Sequence, residues 1–162
     1  MTPARSFSIF PSVRLESPQA LEDVLRGIRQ RLDAAFAPDT AVAATKSGPA
    51  SSGHCTAVAL IVREAVGGDT VCALHGSNSH WFNRVPTERG GVDVDLTGDQ
   101  FGLPAIRVGE VETLYQGTRV RHPREARDET VLRAARLAKR ARLDAIAEAL
   151  DLELRRRGED RA

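Results

Sequence analysis

The chain has 162 residues, 41% of them hydrophobic and 28% charged, with a formal net charge of +1. That profile excludes a disordered or fibrous chain and fits one soluble domain with a real core. Near-zero net charge gives no field that would gather nucleic acid, and no apolar run approaches the roughly 20 residues of a membrane span.

In chain order, residues 1–16 hold scattered apolar groups (Phe7, Ile9, Phe10, Val13, Leu15) and read as an N-terminal arm. Ser17 and Pro18 open a helix, as cap and first-turn proline. Leu21, Val24, Leu25, Ile28, Leu32 and Phe36 recur at helical spacing, so one face is buried, and Pro38 ends the element. Residues 37–52, rich in Ala, Ser, Thr, Gly and Pro, read as a loop. Ser51-Ser52-Gly53-His54 is a polar turn, and the run from Cys55 to Val62 is too apolar to face water. It reads as a buried helix stopped at Gly67-Gly68. The period then changes to two, which predicts strands over residues 70–75, 79–85 and 92–97. With Arg84 opposite Gly91, His80 lies opposite Asp95; a two-residue slip sets Thr97 opposite His80 and leaves Asp95 diagonal to it. Residues 99–104 read as a turn or short helical corner and 105–123 as irregular. A helix is expected from about Arg124 to about Arg157. At 1.5 Å per residue it would be on the order of 50 Å long, so a break near residue 141 or packing on a second subunit is expected.

Chemistry concentrates at Cys55. A thiol in the first turn of a helix feels the positive end of the helix dipole, which favours thiolate, the nucleophilic form. Cysteine catalysis further needs an imidazole within reach and an acceptor that orients it. His80 and an aspartate on the neighbouring strand supply these. Asp93 and Asp95 share a face, so alternation alone leaves both open. The Cys55 backbone N–H is one oxyanion donor. His54, Ser52 and Ser51 are candidates for the second, and Trp81 or Phe82 for lining the cleft. Cys72, mid-strand, reads as core filler. Cys55, Cys72, His54, His75 and His80 match no paired-ligand metal spacing, so no metal or cofactor is expected. Two cysteines make no disulfide framework, and no secretory leader pattern is visible, which gives a cytoplasmic expectation.

The order cysteine, histidine, aspartate resembles the papain-like fold. More narrowly, Gly53–Val62, Gly67-Gly68, His80-Trp81-Phe82-Asn83 and Val94–Phe101 resemble the YunG-like family of small bacterial proteins. Arg119–Lys139 is similar to that family's closing segment, so the likeness covers roughly residues 40–140. The family's usual glutamine before the cysteine is His54 here. The resemblance implies an α+β fold, papain-like, with the cysteine helix packed on a small antiparallel sheet. It favours Asp95 over Asp93 as third member.

The expectation is a single domain over residues 1–140 with a helical extension at 141–162. Its expected function is acyl transfer through Cys55, His80 and Asp95: an amidase or peptidase, or an amide-forming acyltransferase or cyclase. The substrate would be a small-molecule or peptide acyl donor, free or on a carrier protein. The stretch Arg119–Arg142 holds nine Lys/Arg against three Asp/Glu, but no aromatic stacking surface accompanies it, so no nucleic-acid partner is expected. The long C-terminal helix is a candidate surface for a homodimer. The rival reading is a non-catalytic binding module that keeps the same fold.

Overall fold

A computed structural model describes residues 18–42 and 48–162. The expected arm at 1–16, the Ser17 cap and part of the loop before Cys55 lie outside the described residues. Helix α1 (Pro18–Asp33) buries Leu21, Leu25, Ile28 and Leu32 along one stripe. Arg29 lies on the same stripe and is also buried. Helix α2 (Cys55–Val66) buries Ala57 to Val62 without interruption, then Ala65 and Val66. A helix apolar on nearly every side must be covered on nearly every side. Here the sheet covers one face and helices α3 (Asp128–Arg140) and α4 (Asp144–Glu159) the other. The chain leaves α2 through Gly67 and Gly68, both at positive φ. A Cβ on Gly68 would run into the Arg84 carbonyl oxygen, so the turn closes on the sheet only as glycine.

The sheet has five antiparallel strands. They are β1 (Asp69–His75), β2 (Asn78–Thr87), β3 (Gly90–Asp95), β4 (Arg107–Glu110) and β5 (Arg119–Arg121), in the spatial order β4-β3-β2-β1-β5. β4 and β5 fall in the stretch expected to be irregular, which is corrected here. They are four and three residues long and sit at the two sheet edges. No period-two pattern can show itself over so short a run. The β2–β3 hairpin adopts the slipped register: Arg84 faces Asp93, and Thr87 faces Gly90. The turn is tighter than residues 86–91 because the Thr87 hydroxyl donates to the Gly90 carbonyl (2.6 Å) and accepts from the Arg89 N–H (3.2 Å).

Side chains divide between the two sheet faces. Cys72, Trp81, Val85, Val92 and Val94 join the main core under α2. Val71, Ala73 and Phe82 form a smaller cluster on the opposite face with Tyr115. Asn83, on the α2 face, donates from Nδ2 to the Ala59 carbonyl (2.8 Å) and ties the sheet to the helix. The expected helix break occurs at residues 141–143, where Arg142 adopts φ 62° and the Leu143 N–H returns to the Ala138 carbonyl (2.8 Å). α4 therefore folds back on α3 and buries Ile146, Ala147 and Leu150. Residues 144–159 complete the main core and do not project as an arm.

Candidate active site

The turn at residues 51–54 positions Cys55. The Ser52 N–H donates to the Pro49 carbonyl (3.0 Å) and the His54 N–H to the Ser51 carbonyl (3.1 Å), and Gly53 takes a positive φ. α2 then starts at Cys55, whose side chain is half-buried. First-turn N–H groups have no acceptor within the helix, so the amides around Cys55 are available to an incoming oxygen.

His80 is fully buried on β2. Its Nε2 lies 3.0 Å from Asp95 Oδ2. The slipped register leaves the two residues diagonal, and the length of the imidazole bridges the gap. Phe101 meets the ring edge-on at 4.8 Å between centroids, and Tyr115 and Phe82 flank it at 5.0 and 6.0 Å. With Nε2 committed to Asp95, Nδ1 is the nitrogen left to meet the Cys55 thiol. The Gln100 side-chain amide walls this nitrogen at 3.5 Å, itself held by donation to the Thr97 carbonyl (3.0 Å) and hydroxyl (3.1 Å).

Asp95 is buried and well supplied with donors. Besides His80, it accepts from the Tyr115 hydroxyl (2.5 Å) and the Thr97 N–H (3.0 Å). Burial pushes its pKa up, but His80, Tyr115 and Thr97 outweigh burial and hold it below the usual carboxylate range. Burial likewise works against a charged His80, yet hydrogen bonds with Asp95 and Cys55 raise it to about 9. For Cys55, burial raises the thiol and the His80 contact, aided by the Trp81 backbone N–H, more than reverses this. Both shifts have the sense of a thiolate–imidazolium pair.

Asp93 is committed elsewhere. It takes two hydrogen bonds from Arg84 (2.7 and 3.1 Å) and one from the Glu112 N–H (3.0 Å). The ambiguity left by alternation is thus resolved in space: Asp95, not Asp93, meets His80. The His54 imidazole is buried, and both of its nitrogens are engaged. Its Nδ1 donates to the Ser52 carbonyl (3.1 Å) and its Nε2 meets the Thr40 hydroxyl (2.8 Å), with Phe36 at 4.6 Å between ring centroids. Burial lowers its pKa and keeps it neutral. Its ring therefore ties the turn to Thr40, with both nitrogens already in hydrogen bonds. Ser51 is equally occupied, donating to Asp99 Oδ1 (2.7 Å). Ser52 is half-buried in the turn and offers its carbonyl to His54. Trp81 lines a cleft that also touches Thr56 and Ser79, the neighbours of Cys55 and His80 in the chain. Cys72 is core filler beneath α2. His75 stacks on Phe101 at 4.1 Å, and His122 caps a single turn by accepting from the Arg124 N–H. Among the described residues, no three His, Cys, Asp or Glu side chains converge as a metal site.

Arg29 is a site residue that sequence reasoning passed over. From α1 it binds Asp99 with two nitrogens (3.0 and 2.8 Å), reaches Asp33 (2.7 Å), and donates to the Leu96 carbonyl. Asp99 in turn holds Ser51. One guanidinium therefore locks the turn before Cys55 to the turn after Asp95. Its signal was present: Arg29 is four residues after Leu25, on the buried stripe of α1, where a charge needs a partner.

A model of the YunG protein family matches residues 24–144. The chain belongs to the YunG family. No curated protein and no solved structure matches it. The YunG match begins earlier than the likeness read from the sequence. It takes in Arg29 on α1 as well as Cys55, His80, Asp95, Asp99 and Tyr115, and it ends at the first residue of α4.

Proposed function

We propose that this YunG-family protein is a thiol-dependent acyl-transfer enzyme of papain-like arrangement. The Cys55 thiolate attacks the carbonyl carbon of an acyl donor, and a C–S bond forms. The C–N or C–O bond to the leaving group breaks as that group takes the proton from the His80 imidazolium. Water or an amine then attacks the thioester carbonyl, giving its proton back to His80 and releasing Cys55. Asp95 holds the ring with Nδ1 toward the sulfur throughout, and the Cys55 N–H offers one hydrogen bond to the developing oxyanion. The observation that carries the reading is the pairing of a helix-start thiol with a buried imidazole anchored on a buried carboxylate. Such a constellation costs desolvation energy that a merely structural histidine would not need to incur. The test is a mass measurement after exposure to an activated ester. An acyl increment confined to Cys55 and lost in Cys55→Ala, which keeps its fold, is the expected result. No increment in wild type would leave the binding-module reading in its place.

A further inference from the structure

One side chain away from the thiol lies a cleft of about 490 Å³: Thr56, on its lining, has its hydroxyl 3.8 Å from Cys55 Sγ. It adjoins Thr56, next to the nucleophile, and Ser79 and Trp81 on either side of His80. That volume suits a small molecule. Trp81 reaches the lining but is otherwise buried, with the Arg121 guanidinium 5.1 Å from its ring centroid. The Arg121 charge is answered by Glu125 at 3.1 Å. The facing wall is the start of α3, which contributes Thr130 and the half-buried Arg133. Arg133 donates from Nη2 to the neutral Thr130 hydroxyl (3.0 Å). Among the described residues no carboxylate forms an ion pair with Arg133 or with its cleft neighbour Arg127. Glu129 is the one other acid on the lining. The lining therefore holds three arginines (Arg121, Arg127 and Arg133) against two glutamates (Glu125 and Glu129), a net positive charge. A guanidinium fork in a partly desolvated pocket matches a planar carboxylate with two parallel hydrogen bonds.

Resting on the acyl-transfer reading, we infer that the acyl donor is a small carboxylate-bearing molecule. Arg133 holds its carboxylate, its body lies in the cleft, and its reacting carbonyl passes Thr56 to reach Cys55. The test compares the rates at which Cys55 reacts with N-ethylmaleimide and with the maleimide bearing a carboxyethyl group in place of ethyl. Each rate is normalised to glutathione and assigned to Cys55 by peptide mass mapping. Wild type is expected to favour the acidic probe by about tenfold, roughly what one charge-assisted hydrogen bond supplies. Arg133→Gln is expected to lose that preference, and Arg136→Gln, on the exposed side of the same helix, to keep it. Should Arg133→Gln fail to fold, Arg133→Met suits the half-buried stem and is expected to show the same loss. Glutarate should slow the acidic probe and inorganic phosphate should not. Equal rates for the two probes in wild type, or a preference that survives in the folded Arg133 variant, overturn the inference. Phosphate protection matching that of glutarate overturns the carboxylate assignment. Slow reaction of the neutral probe would instead count against the acyl-transfer reading, and the ratio of the two probes is still read in that case.

Discussion

At the scale of single residues, Asp95 Oδ2 is shared between His80 Nε2 and the Tyr115 hydroxyl. Tyr115 withdraws basicity from the carboxylate that His80 uses. Tyr115→Phe should therefore raise the His80 pKa above its value of about 9, read as the NMR titration of the imidazole; an unmoved titration would make Tyr115 a packing residue only. Asp95→Asn removes the charge that offsets burial. His80 should then fall below its ordinary range, the thiolate should be lost, and acyl transfer should drop by a factor on the order of 10³–10⁴. The sequence brought His80 and Asp95 together through strand alternation. It could not separate Asp95 from Asp93, because period two places both on one face and only Arg84 and Glu112 reveal where Asp93 is committed.

At the scale of elements, α2 and the β2–β3 hairpin were legible because their patterns are local: an unbroken apolar run after a polar turn, then alternation. β5 was not. It pairs with β1, about fifty residues earlier, through three residues only. Non-local pairing of so short an edge leaves no trace in neighbouring positions. The α3–α4 break was legible only as a length argument; its cause is Arg142, held in the left-handed region usually given to glycine. Arg142→Gly should stabilise the protein by about 0.5–1 kcal/mol, the relief of a strained Cβ less the added freedom of the unfolded chain. Chemical denaturation checks this, and a lower midpoint would contradict the strain.

At the scale of the whole molecule, the three groups of the candidate site come from separate parts of the chain. Cys55 opens a helix, His80 sits on a central strand, and Asp95 ends the next one. Their alignment depends on Arg29, which holds Asp99 and through it Ser51. Asp99 is only partly buried, so leaving it without its cation costs about 1–3 kcal/mol, less than in a fully buried pair. Arg29→Met should therefore lower stability and slow Cys55 chemistry together, whereas an exposed arginine variant such as Arg136→Gln should do neither. Asp99 opposes burial with Arg29 and Ser51 and stays below the usual carboxylate range, as does Asp95. The unfolded chain thus takes up protons first as acid is added. The contribution of these two groups is complete above about pH 3.9 and is lost as pH falls through their native values. The central claim is that His80 keeps the Cys55 sulfur ionised. It is tested most directly by the rate of Cys55 alkylation by iodoacetamide across pH, in wild type and in folded His80→Ala. Wild type should already react fast at about pH 6, while His80→Ala should react only as pH approaches the ordinary cysteine value of about 8.5. Superimposable profiles would contradict the account.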